Sequence, residues 1–321
     1  MARIPHKLSF DPSYGYSLES LLALSAPADP VDFDTFWQSR REQAMKVAPA
    51  PRLEPPEIPT PKGWVGKTVR YTSTGGLEPG GRLLWPEKGT PNRALIFGHG
   101  YGAPEAEPYP DFLPPDTILF FPHARGLGLS RTRGISSNPA FHVLHGIQSR
   151  DTYLHGGCVD DLWLSVSALL ELFPAVENRI GYCGISFGGG IGALALPWEP
   201  RISRAHFNVP SFGNHPLRLT MKTLGSGEAV RRYARTHDPE ALLYTLSYFD
   251  AAVAARRLKI PVHAALALFD PFVTPAGQFS IYNAISSEKN LFVLDAGHFE
   301  YAGQADQVRA LQEELMNFFQ D

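Results

Sequence analysis

Several features that are common in secreted, membrane-bound or nucleic-acid-binding proteins are scarce in this sequence. It has two cysteines in 321 residues, Cys158 and Cys183, too few for a disulfide framework in a chain of this length. Both lie among apolar residues, so we expect buried free thiols and a reducing compartment. The N-terminal residues contain no apolar stretch of the kind found in a secretory signal, and none is expected.

Charge of one sign is scarce as well. The formal net charge is −3 and no cluster of lysine and arginine occurs, which disfavours nucleic acid and an anionic membrane surface as partners. One uncharged run, residues 180–198, is long enough to raise the question of a membrane span. Because it contains six glycines and a central serine, we interpret it as a strand, a sharp turn and a helix, and we expect no membrane span.

Glycine and proline are abundant instead, with 29 of each. Low complexity is a poor explanation, since 44% of the residues are apolar and no repeat or polar tract occurs. Residues 1–67 are interpreted as an N-terminal extension, with one helix from Phe33 to about Met45 capped by Asp32 and then a stiff proline-rich connector. We expect one domain over residues 1–321 rather than two.

Beyond residue 68, short apolar runs alternate with helical patterns. The predicted strands are Val69–Thr72, Leu83–Trp85, Ala94–Phe97, Thr117–Phe121, Arg179–Cys183, Ala205–Asn208, Val262–Phe269 and Leu291–Leu294. The clearest helix has an apolar face from Val159 to Phe173, with Asp160 and Asp161 expected in its first turn. This alternation predicts an α/β fold with a mostly parallel sheet and helices on both faces. Residues from about 210 to 246 are charged and helical, and they are interpreted as a lid insertion over the strand ends.

The strongest local motif is Gly184-Ile185-Ser186-Phe187-Gly188, between a predicted strand and a predicted helix. A tight turn at this place lifts the serine oxygen above the sheet, and small residues on both sides let the backbone pass without collision. The helix N-terminus also favours negative charge that develops nearby. The pattern predicts Ser186 as a nucleophile; an ordinary glycine-rich turn is the alternative.

A base and an orienting acid are expected later in the chain, each just past a strand. Asp270 follows Val262–Phe269 and His298 follows Leu291–Leu294, where the carboxyl ends of parallel strands converge with Ser186. We predict that His298 removes the proton of Ser186 and that Asp270 holds the imidazole in the required tautomer. Asp295 is the rival acid, but it lies only three residues before His298 and fits a turn better.

Two backbone amides are expected to form an oxyanion hole. One is that of Phe187, directly after the predicted nucleophile, and the other is that of Tyr101 in the glycine-rich loop after Ala94–Phe97. A tight connection between strand and helix is the alternative explanation of that loop. No cofactor or metal is expected: His142, His145 and His155 lack metal-ligand spacing, and Arg131 replaces the third glycine of a dinucleotide motif that begins at Gly126.

Together these stretches resemble the acetyl xylan esterases and cephalosporin C deacetylases, a carbohydrate esterase family with the α/β-hydrolase fold. The resemblance extends over nearly the whole chain, and its stretches are Asp32–Trp37, Gly98–Gly102, Arg125–Ser130, Arg179–Gly190, Leu246–Asp250, Ile260–Val262, Tyr282-Asn283 and Gly297-His298. It implies a cytoplasmic enzyme that removes acetyl groups from short oligosaccharides and, in some relatives, from a cephalosporin. It also implies no cofactor and a ring-shaped homo-oligomer.

Three residues depart from the family pattern. Phe187 replaces the glutamine that usually follows the nucleophile, Leu127 replaces another glutamine, and Phe299 stands where a glutamate usually follows the catalytic histidine. The predicted triad is unaffected, because a backbone amide serves as oxyanion donor whatever its side chain. Each replacement is expected to add apolar surface near the site and to favour less polar acyl esters.

The sequence therefore predicts a serine carboxylesterase that removes acetyl groups from acetylated sugars or related small esters through an acetyl-enzyme. A broader short-chain acyl-ester hydrolase or a peptidase of the same fold is the alternative, since the same triad serves both kinds of bond. A non-catalytic binding protein that retains the fold is a third hypothesis.

Overall fold

One nine-stranded sheet organises the molecule. The computed structural model describes residues 4–102 and 116–320, and everything below refers to these. The strands are β1 Arg52–Glu57, β2 Trp64–Arg70, β3 Gly80–Pro86, β4 Arg93–Gly98, β5 Thr117–Pro122, β6 Ile180–Ile185, β7 Ile202–Asn208, β8 Val262–Ala267 and β9 Lys289–Leu294. Their order across the sheet is β1-β2-β3-β5-β4-β6-β7-β8-β9.

The sheet is mostly parallel, as the apolar runs predict. All pairs from β5 through β4, β6, β7 and β8 to β9 are parallel, whereas β1, β2 and β3 pair antiparallel at one edge. β4 lies between β5 and β6 in the sheet, so the chain leaves β4 toward one side and leaves β6 toward the other. The loops after β4 and β6 therefore diverge at the carboxyl ends of these two strands. This is the place where open α/β sheets bind ligands.

Helices connect and cover the strands. Their bounds are α1 Leu18–Leu22, α2 Phe33–Ala44, α3 Pro139–His142, α4 Leu154–Leu172, α5 Phe187–Ala195, α6 His215–Arg218, α7 Ser226–Ala234, α8 Pro239–Ser247, α9 Ala251–Ala255, α10 Pro275–Ala284 and α11 Gln304–Gln320. None of the helices in the described part of the chain is both long and apolar enough to span a membrane. The helical pieces predicted between residues 210 and 246 correspond to α6, α7 and α8.

Both faces of the sheet are covered, and β8 shows how. Successive side chains of a strand point to opposite faces. Ala264 and Leu266 pack with Phe279 of α10, whereas Ala265 and Ala267 pack in the cluster that contains α11. Helices therefore lie on both sides of the sheet, which confirms the predicted fold class.

All eight predicted strands are present, and β1 was not predicted. Its sequence contains Pro55 and Pro56, and the proline-rich stretch is therefore predicted as an irregular connector. Proline is tolerated in an edge strand because one row of N–H groups there has no partner to lose. β1 pairs only with β2, so the two prolines occupy a position that accepts them.

Two predictions about helix N-termini are wrong. The side chain of Asp32 makes no capping hydrogen bond to α2; it accepts one from Arg150 at 2.8 Å and another from the Tyr248 hydroxyl. Asp160 and Asp161 are not in the first turn of their helix, because α4 begins earlier, at Leu154. Both are buried and bind arginines from other parts of the chain. Long-range ion pairs, rather than the helix dipole, therefore account for the acidic residues at these two positions.

Two buried histidines, on β7 and β8, are expected to make stability depend on pH. His206 Nδ1 lies 3.1 Å from His263 Nδ1, and Nε2 of His263 lies 3.2 Å from Glu314 Oε2. Burial lowers the pKa of His206 to about 3. Below about pH 6.5 the unfolded chain binds a proton that folded His206 does not, so acid favours unfolding.

We therefore expect the free energy of unfolding to fall as the pH is lowered from 7.5 to 5, with His206 contributing on the order of 2 kcal/mol. Urea unfolding at both pH values measures this free energy. In the variant His206→Gln the fall should be smaller by that amount. An equal fall in the variant and the parent would assign the acid sensitivity to other groups.

Candidate active site

The turn between β6 and α5 holds Ser186 in a strained conformation. Its backbone angles are φ 52° and ψ −112°, in a region that residues other than glycine rarely occupy. The Ser186 N–H donates to the Asn208 carbonyl at 2.9 Å, and its own carbonyl accepts from the Ser211 N–H at 2.9 Å. The loop after β7 thus holds the strained turn in place, with Ser186 partly exposed at the carboxyl end of the sheet.

Both glycines of the serine motif are required by close backbone contacts. A Cβ on Gly188 would lie 2.2 Å from the carbonyl carbon and oxygen of Gly98, and a Cβ on Gly184 would lie 2.7 Å from the Gly188 oxygen. These distances are far below van der Waals contact. The motif therefore brings β4, β6 and α5 together more closely than any side chain permits.

The structure brings Ser186, His298 and Asp270 into one hydrogen-bonded chain. His298 Nε2 lies 3.0 Å from Ser186 Oγ, and His298 Nδ1 lies 2.8 Å from Asp270 Oδ2. The side chain of Asp270 is fully buried, whereas that of His298 is 24% exposed. Asp295, the rival acid, has an exposed side chain, and the acid that binds the histidine is Asp270.

Asp270 is held by more partners than its sequence position suggests. Its Oδ1 accepts the backbone N–H groups of Phe272 and Val273, both at 2.9 Å, and Gln278 Nε2 donates to Oδ2 at 3.0 Å. The Gln278 amide is itself fixed, because its oxygen accepts from the Ala267 N–H at 2.8 Å. Sequence reasoning missed Gln278, since its role depends on how α10 folds back over β8.

The two predicted oxyanion donors belong to segments that pass close to Ser186. Phe187 is the first residue of α5, where a backbone N–H has no acceptor within its own helix. Tyr101 follows Gly100, whose Cβ, if it had one, would lie 3.7 Å from Ser186 Cβ. The loop and helix are tied together by the Gly188 N–H, which donates to the His99 carbonyl at 2.9 Å.

His99 positions the loop that carries Tyr101. Its Nδ1–H donates to the Gly100 carbonyl at 2.7 Å, and its Nε2 accepts the Ala124 N–H at 3.0 Å. Burial lowers the pKa of His99 to about 4, so the ring stays neutral and keeps this donor and acceptor arrangement at neutral pH. In the sequence, the position of His99 within the glycine-rich loop is the one sign of this role.

The side chain of Phe187 is buried in a cluster of aromatic rings. It is 2% exposed, and its ring centroid lies 4.5 Å from that of Tyr101 and 5.8 Å from that of Phe212. Leu127 is also 2% exposed. The expectation that both residues add accessible apolar surface is therefore wrong, because both fill the core where the family usually has glutamine.

Exposed apolar surface beside the candidate triad comes from other residues. Ile185 is 45% exposed and Phe272 is 40% exposed, and the Phe272 ring lies 5.6 Å from the His298 ring. Phe299 is partly exposed and packs on Phe269 at 5.1 Å. Of these three residues, sequence reasoning singled out only Phe299, because Ile185 occupies a position of the serine motif that any residue can fill and Phe272 lies outside every motif.

Two of the three histidines considered for a metal, His142 and His155, have other neighbours. His142 Nδ1 accepts from the Tyr101 hydroxyl at 3.1 Å, and its Nε2 donates to the Arg125 carbonyl at 2.9 Å. His155 is buried among aromatic rings such as Tyr153 and Phe212. In residues 4–102 and 116–320, three or more His, Cys, Asp or Glu side chains nowhere form a group that could hold a metal ion.

A mostly parallel sheet with helices on both faces and a strained serine turn at its carboxyl edge defines an α/β-hydrolase. The sequence matches the acetyl xylan esterase (AXE1) family over residues 16–317. The chain therefore belongs to the acetyl xylan esterase family and is a carboxylic ester hydrolase.

Solved structures agree on the fold. The acetyl xylan esterase from Paenibacillus sp. R4 is 20% identical, with a TM-score of 0.82 over 93% of this chain and 99% of that one. Acetyl xylan esterase 1 from Thermoanaerobacterium sp. JW/SL YS485 is 23% identical, with a TM-score of 0.79 over 95% and 99%. The Pyrococcus horikoshii acylaminoacyl peptidase is 16% identical, with a TM-score of 0.57 over 91% of this chain and 43% of that one.

Proposed function

We propose that Ser186, His298 and Asp270 form the catalytic triad of a serine esterase that removes acetyl groups from acetylated sugars or related small esters. The observation that carries the proposal is the hydrogen-bonded chain from Ser186 Oγ through His298 to Asp270, with distances of 3.0 and 2.8 Å. It occurs at a strained strand-to-helix turn in a member of an esterase family. These are the positions and distances that nucleophilic catalysis by serine requires.

In the first half of the reaction Ser186 Oγ attacks the ester carbonyl while His298 Nε2 takes its proton. Asp270 fixes the imidazole with the proton on Nδ1 and stabilises the imidazolium that forms. The carbonyl oxygen becomes an oxyanion, which accepts hydrogen bonds from the backbone N–H groups of Tyr101 and Phe187. The tetrahedral intermediate then collapses, the bond to the alcohol breaks, and His298 gives its proton to the departing oxygen.

In the second half water removes the acetyl group. His298, neutral again, takes a proton from water as the water oxygen attacks the acetyl-enzyme, and the same two amides hold the second oxyanion. Collapse breaks the bond to Ser186 Oγ, which recovers its proton from His298 and releases acetate. No step uses a cofactor.

A broader short-chain acyl-ester hydrolase is the second candidate function. The exposed side chains of Ile185 and Phe272 favour it, because they offer apolar contact beside His298 to a hydrophobic alcohol or acyl group. A peptidase of the same fold is a further alternative that a common triad leaves open.

Several further properties rest on the family resemblance. We infer a ring-shaped homo-oligomer, deacetylation of a cephalosporin as a further activity, and a cytoplasmic location, which the two buried free thiols of Cys158 and Cys183 support. The segment from about 210 to 246 is proposed as a lid within a single hydrolase domain. Its helix α7 and the loop before it lie near Phe272, since a Cβ on Gly225 would lie 3.1 Å from that ring.

A serine-directed fluorophosphonate probe and a series of aryl esters from acetate to octanoate test the proposal. We expect the probe to label Ser186, identified by peptide mass mapping, and kcat/KM to be about tenfold higher for acetate than for octanoate. An aminoacyl amide serves as the peptidase control and should be hydrolysed poorly. Failure to label Ser186 would remove the serine mechanism, whereas a clear preference for octanoate would remove the deacetylase assignment alone.

A further inference from the structure

Gln278 is a polar side chain of α10 that is fully buried against the candidate triad. Its Nε2 donates to Asp270 Oδ2 at 3.0 Å and to the Val273 carbonyl at 2.8 Å. Burying an amide is unfavourable unless its groups are hydrogen-bonded, and both N–H groups of Gln278 have acceptors here. The same two bonds connect α10 to the loop that carries the acid of the triad.

The orientation of the Gln278 amide is fixed by β8. Its Oε1 accepts from the N–H of Ala267 at 2.8 Å, and Ala267 is the last residue of that strand. If the amide were rotated by 180°, Nε2 would face the Ala267 N–H, and Oε1 would face the Asp270 carboxylate. Donor would then meet donor and acceptor would meet acceptor. The amide is therefore held with an N–H directed at Asp270.

Gln278 restricts the side-chain torsion of Asp270 that the backbone leaves soft. The N–H groups of Phe272 and Val273 both bind Oδ1, and they fix one oxygen of the carboxylate. Rotation of an aspartate about its Cβ–Cγ bond is otherwise only weakly restricted. Gln278 binds the second oxygen, Oδ2, which lies 2.8 Å from His298 Nδ1. The carboxylate is thus prevented from turning away from the imidazole.

The surroundings of Asp270 Oδ2 leave no room for a substitute donor. The side chain of Asp270 is fully buried. A Cβ on Gly297 would lie 2.5 Å from Oδ2, so the segment directly before His298 is packed onto this oxygen. At an exposed carboxylate, water replaces a lost donor, but at a buried one the loss leaves the acceptor unsatisfied. Without Gln278, Oδ2 would keep His298 as its one side-chain donor.

We propose that Gln278 is a positioning residue, which acts through Asp270 to hold His298 where Nε2 receives the proton of Ser186. The inference rests on the proposed function of the triad. The side-chain hydrogen bonds of Gln278 within the described residues go to Ala267, Asp270 and Val273 and not to the reacting atoms. Gln278 should therefore affect kcat and leave KM nearly unchanged.

Gln278→Met tests this inference, because it removes the donor and keeps the approximate length of the side chain. We expect kcat for an aryl acetate to fall by about 100-fold, the cost of a displacement of about 1 Å in a catalytic group, with KM within about twofold of the parent. The fluorophosphonate probe should label Ser186 more slowly by a similar factor. Unchanged kcat in a folded Gln278→Met enzyme would overturn the inference.

Ser280→Ala is the matched control for that variant. Ser280 is also fully buried on α10, but its hydroxyl accepts from Asn214 Nδ2 at 3.1 Å and not from a residue of the triad. Its kcat should stay within about threefold of the parent. Equal losses of kcat in the Gln278 and Ser280 variants would contradict the proposal, since the loss would then reflect disturbed packing of α10.

A double-mutant cycle tests whether Gln278 acts through Asp270. Asp270→Ala removes the carboxylate and should lower kcat by about four orders of magnitude. Adding Gln278→Met to Asp270→Ala should lower kcat by less than a further threefold or so, because residues that act as one unit are not additive. A further loss of about 100-fold would overturn the inference, since Gln278 would then act independently of the acid.

Gln278→Glu provides a second variant of nearly unchanged shape, for use where Gln278→Met gives no folded protein by circular dichroism. Two carboxyl groups in contact share one proton, so Asp270 no longer faces His298 as a full carboxylate. We expect kcat to fall by about tenfold with KM nearly unchanged, and a kcat equal to that of the parent would overturn the inference. Absence of hydrolysis and of Ser186 labelling in the parent enzyme would instead be a failure of the proposed function.

Discussion

Replacing Ser186 by alanine is expected to lower kcat for an aryl acetate by about five to six orders of magnitude. The change removes one oxygen, the one that His298 Nε2 contacts at 3.0 Å, and with it the acetyl-enzyme pathway. The fold should be unaffected, because the strained turn is held by backbone hydrogen bonds to Asn208 and Ser211. Initial rates with a chromogenic acetate, beside a circular dichroism spectrum and a thermal melt, measure both effects.

Ser211→Ala is the matched control for that variant. Ser211 is a buried serine next to the same turn, and its backbone N–H, which the substitution keeps, is the group that binds Ser186. Its kcat should stay within about threefold of the parent. If Ser186→Ala retained substantial activity while the fold was intact, the hydrolysis would have to use another nucleophile. If both variants lost activity equally, the loss would reflect damage to the turn.

The fold and the positions of the candidate triad could be predicted because both depend on local signals. Short apolar runs between helical patterns are sufficient to indicate a parallel sheet, and the ends of parallel strands meet at one edge. Ser186, Asp270 and His298 each follow a predicted strand, so their proximity can be predicted without knowledge of side-chain packing. The glycines around Ser186 belong to the same local pattern, since the turn itself demands them.

What could not be predicted depends on contacts between distant parts of the chain. Gln278 reaches Asp270 only because α10 folds over β8. Phe187 was expected to be accessible because the sequence gives its chemical nature but not its exposure. β1 was not predicted because its prolines fit a strand only at a sheet edge, and edges are assigned only when the strand order is known.

Asp161 illustrates the same limit, and its structural role leads to a second large expected effect. The carboxylate accepts hydrogen bonds from Arg125 Nε at 2.9 Å and Nη2 at 2.6 Å, and another from Ser73 Oγ at 2.6 Å. The side chains of Asp161 and Arg125 are 3% and 10% exposed. A carboxylate in the first turn of an exposed helix could be replaced with little loss of stability. The Asp161 carboxylate, in contrast, is the partner of a buried cation.

The ion pair connects the helix layer to the candidate active site. Arg125 lies in the loop after β5, and its carbonyl accepts from His142 Nε2 at 2.9 Å. His142 Nδ1 accepts from the hydroxyl of Tyr101 at 3.1 Å, and Tyr101 is a proposed oxyanion donor. A Cβ on Gly157 would lie 2.2 Å from Arg125 Nη1, so α4 leaves a space in which the guanidinium fits.

We expect Arg125→Met to lower the free energy of unfolding by about 3–5 kcal/mol, because it leaves the Asp161 carboxylate buried and unpaired. Urea unfolding at pH 7.5 measures it. The exposed pair of Arg52 and Glu78, 2.7 Å apart but with side chains 54% and 50% exposed, is the control, and Arg52→Ala should cost less than about 1 kcal/mol. Adding Asp161→Asn to Arg125→Met should recover part of the loss, because the amide carries no charge to desolvate. Similar losses in the Arg125 and Arg52 variants would contradict this account, since burial is the property in which the two pairs differ.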